Sequence, residues 1–256
     1  MESQSFIVAL LSKLLIINFL RYFVITVPAF LIFYVVYKKK WQGKRIQFKF
    51  PEKSDYIREV TYSIITIFVF VGIAMIVFGP PLKKYNLVYQ DFGLYGWDWW
   101  FISIILMILL HDTYFYWTHR AMHHPALFKI FHLVHHKSTN PSPWAAYAFH
   151  PLEGIVEAGV IFPIAFLIPI HPTAIMVFLF FMMIYNVYGH LGYEIMPKNF
   201  NKHFIGKWFN TSVNHNMHHQ YFKGNYGLYF LFWDRLMGTL HPKYDEAYKE
   251  VDLKRA

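Results

Sequence analysis

The chain contains no cysteine. Disulfides, thiolate metal sites and cysteine nucleophiles are therefore excluded. Charge is scarce as well. Asp, Glu, Lys and Arg make up 15% of the 256 residues, against about 25% in ordinary soluble domains. Acidic residues are the scarcer kind, 15 against 24 Lys and Arg, which leaves a net charge of +9. Such a balance invites a nucleic-acid partner, but the basic residues form no basic face. Lys38-Lys39-Lys40 and Lys44-Arg45 instead flank apolar runs, as membrane topology requires, so no nucleic acid is expected. A Gly-rich dinucleotide fingerprint is missing, as are haem and iron–sulfur motifs. Met-Glu-Ser-Gln lacks a basic leader region, so no signal peptide is expected. No internal repeat is present, and nothing in the sequence sets an oligomeric state.

Apolar and aromatic residues are abundant, at 56% and 21% of the chain. They fall into runs suited to a bilayer. The first, from Ser5 to Tyr37, would span about 50 Å as a helix, too long for one crossing. Its second half, Tyr22 to Tyr37, reads as the end of a span preceded by an interfacial or tilted segment. The second, Tyr62 to Pro80, is near the roughly 20 residues that a bilayer requires. The third starts at Trp99-Trp100, an aromatic belt signal, and continues through Leu110. The fourth and fifth, Gly154 to Ile168 and Thr173 to Gly189, are joined by Pro169-Ile170-His171-Pro172 and read as a membrane hairpin. The expected fold is an all-α integral membrane protein with about four transmembrane helices and a cytoplasmic histidine-rich helical cap. N-terminal membrane helices occupy 1–96, a catalytic region 97–243, and a polar, irregular tail 244–256. By the positive-inside rule, Lys38 to Arg45 put the end of the first run in the cytoplasm. Alternate crossing then delivers every histidine group to that side, in a bacterial inner membrane or the endoplasmic reticulum.

Histidine is the other excess. Residues 111 to 136 hold seven of the fifteen histidines, where even scattering would place about 1.5. His119 and His123 stand at i, i+4. His132, His135 and His136 stand at i, i+3, i+4, and His215, His218 and His219 repeat that interval. On a helix such side chains share a face, with Cβ atoms about 5–6 Å apart, and imidazole suits Zn, Cu, Fe and Ni. The spacing predicts a metal site. Isolated His171, His203 and His241 read as satisfied core residues, and His111 as peripheral. Asp112 lies two helical turns before His119 on the same face, placed to accept an imidazole N–H. Glu153 and Glu157, at i, i+4, are either supports for the site or interfacial carboxylates. Arg120 and Arg235 are expected to meet carboxylates or lipid headgroups.

Seven segments carry a family resemblance: HRAMH at 119–123, HLVHH at 132–136, AFHPLE at 148–153, YGHLGYE at 188–194, HNMHH at 215–219, GNYG at 224–227 and WDRLMGT at 233–239. In order and spacing, from Trp97 to Tyr244, the chain resembles the fatty acid hydroxylase/sterol desaturase superfamily. The FHP, GHLGYE and NYG segments look closest to its sterol desaturase branch. The resemblance implies a membrane-bound, non-haem di-iron oxidoreductase that uses O2 and two external electrons to hydroxylate or desaturate a membrane lipid, a sterol or a fatty-acyl or sphingolipid chain. It implies nine ligands: His119, His123, His132, His135, His136, His190, His215, His218 and His219. His150 matches a recurring family histidine and reads as a ligand or the partner of one, and His124 as a further supporting candidate. Asn225-Tyr226-Gly227 and Trp233-Asp234-Arg235 look like architecture holding the last histidine group. Two iron ions are the expected cofactor, with zinc possible as purified. Electrons are expected from a separate cytochrome b5-like protein or a ferredoxin with its reductase. The alternatives are a zinc-dependent membrane hydrolase, which needs only three ligands per zinc and finds no HExxH here, and a metal transporter, whose ligands belong at the bilayer midplane.

Overall fold

A computed structural model describes residues 2–80 and 82–254. Among them the fold is helical, with only isolated β-bridges such as that between Arg45 and Tyr193. Four helices are long and apolar enough to cross a membrane: Gln4–Val36, Lys53–Phe78, Gly96–Met122 and Pro172–Gly189. In chain order the elements are α1 (Glu2–Phe30, continued as a π-helical turn over Leu31–Val36), α2 (Lys53–Phe78), α3 (Gly96–Met122), α4 (Pro125–Phe131), α5 (Leu133–His136), α6 (Pro151–Ala158), α7 (Ile161–Leu167), α8 (Pro172–Gly189), α9 (Ser212–Tyr221), α10 (Phe232–Leu236) and α11 (Tyr244–Leu253).

The local sequence explains the helix starts. Glu52 and Asp55 form a reciprocal capping box at α2, which satisfies donors that have no partner within the helix. Three helices begin with a His-Pro pair. His124, His150 and His171 cap α4, α6 and α8 through Nδ1, and Pro125, Pro151 and Pro172 follow at the first helical position. Proline is suited to that position because its missing N–H would be unpaired there anyway.

Of the four long helices, α1, α3 and α8 end on the side where α2 begins, and the ends are tied in two layers. At one end Trp99 Nε1, on α3, donates to the Pro169 carbonyl at 2.7 Å, and Trp100 Nε1 donates to Thr173 Oγ1 at 2.9 Å. At the other end the Tyr34 hydroxyl donates to the Leu191 carbonyl at 3.0 Å, and Ser142 Oγ bonds the buried Glu59 carboxylate of α2. The C-termini of α3 and α8 therefore meet at this second end, beneath a cap built from α4, α5, α9 and the loops around them.

Three expectations change. The first apolar run is one continuous helix of 33 residues, with no break at Tyr22, where a distinct span is expected to begin. The hairpin is present, but its first arm is broken into α6 and α7. The Tyr114 hydroxyl donates to the Val156 carbonyl at 2.7 Å and takes the space that a Cβ on Gly159 would need. A side chain inserted at a helix turn is a recognised cause of such breaks. The segment from Tyr244, expected to be irregular, is the helix α11. Its Tyr244, Tyr248 and Val251 are buried against Val213 and Met217 of α9, and the i, i+4, i+7 spacing of these residues is that of an amphipathic helix.

The Tyr248 hydroxyl also donates to the Pro197 carbonyl at 2.9 Å, so α11 supports the cap from outside. Tyr248→Ala is expected to cost about 3 kcal/mol, seen as a lower unfolding temperature of the detergent-solubilised protein. An unchanged temperature would mean that the segment is a dispensable tail.

Candidate metal centre

The nine histidines at the second end of the bundle form two buried groups. His119, His123, His132, His136 and His218 make the first, and His135, His190, His215 and His219 the second; within each, one nitrogen per residue lies within 4.8 Å of all the others. The HxxHH spacing explains the division. His132 and His136 are four apart and join the first group, while His135 turns to the second. In α9, His215 and His219 share the second group and His218 turns to the first. Neighbouring positions on a helix point about 100° apart, so one HxxHH turn serves two centres. The groups share a wall, with the His136 and His219 rings 4.9 Å apart.

The inward nitrogens are all Nε2, and their spacing is that of a coordination shell. In the first group His119 lies 2.9 Å from His132, and His123, His136 and His218 form a triangle with edges of 3.1, 3.0 and 3.1 Å. In the second, His190, His215 and His219 form a triangle of 3.1, 3.2 and 3.2 Å, with His135 at 3.3 Å from His190. A metal–nitrogen bond of about 2.0–2.1 Å puts ligands about 2.9 Å apart at right angles and about 3.3 Å apart at the tetrahedral angle.

Hydrogen bonding alone does not satisfy either group. His119, His190 and His218 donate Nδ1–H to the carbonyls of Tyr226, Asn186 and Gly224 at 2.9, 2.7 and 2.7 Å. Their Nε2 atoms are therefore acceptors only. A ring N–H points at one neighbour, so a triangle of nitrogens cannot be paired off. The buried Nδ1 atoms of His136 and His219 make no hydrogen bond among the described residues. A cation inside each triangle serves all three lone pairs, and the residues fit such a metal.

Electrostatics favours the ligand form. Burial, then the neighbouring imidazoles, hold His132, His136, His218 and His219 well below the usual histidine range. Burial brings His123 and His190 down to about 4. All are neutral near pH 7, as metal binding requires. Among the described residues, the one carboxylate touching the centre is Glu153, whose Oε1 lies 2.6 Å from His132 Nδ1, an arrangement that fixes ring orientation.

The supports partly differ from those expected. Asp112 accepts the backbone N–H groups of Tyr229 and Phe230 at 2.8 and 3.1 Å and touches no ligand. His124 and His150 are helix caps outside both groups. His111 is buried, with Nδ1 on the Tyr229 hydroxyl at 2.9 Å, also outside them. His171 and His241 are half-buried and His203 is exposed, so none is a core residue. Arg120 bonds the Tyr116 hydroxyl and Arg235 the Lys207 carbonyl. The carbonyls of Gly224, Tyr226 and Asn186 are supports that side-chain reading cannot find.

The segment 224–227 is itself held by Asp234. Its carboxylate accepts the N–H groups of Tyr226 and Gly227 at 2.9 and 2.8 Å, and the Thr239 hydroxyl at 2.7 Å. Gly224 has a φ of +76°, a conformation most freely adopted by glycine. Any Cβ on Gly227 would strike the Phe230 carbonyl. The NYG and WDR motifs thus act together to aim two imidazoles.

Beneath the centre lies a cavity of about 690 Å³ between α1, α2, α3, α7 and α8, walled largely by apolar residues. Phe149 joins the two, lining the cavity with its ring 5.0 Å from that of His135.

Comparison with known proteins adds a family. The fatty acid hydroxylase model matches residues 104–239. The chain is 30% identical over 232 residues to Delta(7)-sterol 5(6)-desaturase ERG3B of Gibberella zeae, covering 89% of this chain and 68% of that one. It is 28% identical over 236 residues to lathosterol oxidase of Mus musculus, covering 91% and 76%. Over 202 residues it is 31% identical to erg3C of Aspergillus fumigatus, also named a Delta(7)-sterol 5(6)-desaturase, covering 70% and 62%. No solved structure matches the chain.

Two carboxylates therefore have opposite expected phenotypes. Glu153→Ala should weaken metal retention by about 10–100-fold, measured as metal content during titration with a chelator. Asp112→Ala should leave retention within about 2-fold, because that side chain lies outside the range in which supporting contacts tune a metal, while lowering the unfolding temperature. Equal metal loss in the two variants would contradict this division of roles.

Proposed function

The chain belongs to the fatty acid hydroxylase family, in its sterol desaturase branch, and on that premise we propose that it oxidises an unactivated C–H bond of a membrane sterol with O2 at two histidine-bound iron ions. The observation that carries the proposal is the pair of all-imidazole groups at the end of a largely apolar cavity between membrane-type helices, with Phe149 packed between the cavity and His135. The relatives' names describe oxidation of a Δ7 sterol between carbons 5 and 6, and desaturation of that kind is the reaction proposed here.

Bound iron would supply the oxidising power for C–H cleavage, which side chains lack. The rest falls to the chain's own residues. Carbonyls 186, 224 and 226 and Glu153 orient the imidazoles, and burial keeps them neutral. The apolar walls exclude water and hold the lipid's carbon skeleton against the histidines. Electrons come from a separate cytochrome b5-like or ferredoxin-like carrier. Lys38, Lys39 and Lys40 are exposed at the histidine end of α1, a surface suited to an acidic donor, and the positive-inside rule puts that end in the cytoplasm. Zinc hydrolysis needs three ligands and an open position, fewer than either group offers. Transport is disfavoured by a site at the helix ends rather than midway along them.

The test is turnover by purified, iron-loaded protein given a reductant, O2 and lathosterol. Loss of two hydrogens from the sterol, coupled to O2 consumption and abolished in His135→Ala and His218→Ala, is expected. A reduced, iron-loaded protein that consumes no O2 and leaves both sterols and other membrane lipids unchanged would contradict the proposal.

A further inference from the structure

The cavity has two unlike ends. Along α8 it extends from Pro172 to Asn186, about 21 Å of helix. The end far from the histidines is bordered by Lys83, Gln90 and Ile175, and the middle by Phe70, Phe178 and Leu179. At the histidine end two further ionisable side chains face the cavity from different walls. Arg21 of α1 is 7% exposed; its Nη2 donates to Asn18 Oδ1 at 2.7 Å, while its Nε and Nη1 make no hydrogen bond among the described residues. Glu157 of α6 is 9% exposed, lines the cavity, and likewise has no hydrogen-bond partner for its carboxyl among the described residues. It stands one helical turn from Glu153, which holds His132, so it lies on the metal side of the chamber.

A buried carboxyl facing methylene groups is costly unless it is hydrogen-bonded. A fatty chain inserted tail-first would leave Glu157 in that position. A carboxylate or phosphate headgroup would pair with the open Arg21 donors but set its remaining acceptor oxygens against Glu157, whereas an alcohol both accepts from Arg21 and donates to Glu157. An alcohol supplies the donor that is missing. We propose that Glu157 accepts a hydrogen bond from the substrate hydroxyl, so that the cavity takes a lipid alcohol hydroxyl-first and oxidises a carbon within a few bonds of the hydroxyl-bearing one. The apolar remainder fills the length toward Pro172. The assignment rests on the sterol reading and adds to it an orientation and a positioning residue.

The test is a comparison of binding to the full-length, iron-loaded protein in nanodiscs, using radiolabelled lathosterol and its 3-deoxy analogue. The wild-type protein should prefer lathosterol by about 10-fold or more, as expected for a hydrogen bond to a carboxylate. In Glu157→Leu the preference should fall below about 2-fold with iron content unchanged. Glu157→Gln, whose amide oxygen still accepts, should keep part of it. A wild-type preference retained in Glu157→Leu overturns the assignment and leaves the sterol reading standing. Lathosterol that fails to bind the wild-type protein overturns both.

Discussion

A buried imidazole has two nitrogens, and in this chain the bond made by the outward one decides where the inward one points. Three of the nine rings donate Nδ1–H to backbone carbonyls, and a fourth meets Glu153. Carbonyls are fixed by the fold and accept only, so they impose a single tautomer without contributing charge. Those of Gly224 and Tyr226 in turn depend on Asp234, which gathers the N–H groups of residues 226 and 227. This bonding sequence, from carboxylate to loop to carbonyl to imidazole, aims His119 and His218 of the first group, while the Asn186 carbonyl aims His190 of the second.

The same constraint explains the position of the site. Loop carbonyls are free to bind side chains only where helices end, since inside a helix they are committed to the backbone ladder. The centre therefore sits at the C-termini of α3 and α8, with α9 and the 224–227 segment closing over it. That position also puts it at the head of a cavity running down between the spans.

Much of this was legible in the sequence, because metal ligation leaves a side-chain pattern. HxxxH and HxxHH are written in residue types at helical spacing, and all nine expected histidines fall in the two groups. What failed depended on reach or on backbone. Asp112 does share a face with His119, but seven residues separate them by about 10 Å along the helix axis, too far for a hydrogen bond. Its carboxylate instead anchors Tyr229 and Phe230. His150 enters the expected site through the family resemblance and His124 as the neighbour of the HxxxH pair, although the prolines that follow them mark both as helix caps. The tail carried a readable signal in Tyr244, Tyr248 and Val251, obscured by its polar composition. The roles of Gly224, Tyr226 and Asn186 belong to carbonyls, which no side-chain pattern reports.

X-ray absorption at the iron edge, with metal content measured on the same sample, tests the central claim most directly. The account predicts about two irons per chain in a shell dominated by imidazole nitrogen, with average coordination by four to five histidines. A single iron per chain, or a shell dominated by carboxylate oxygen, would contradict it.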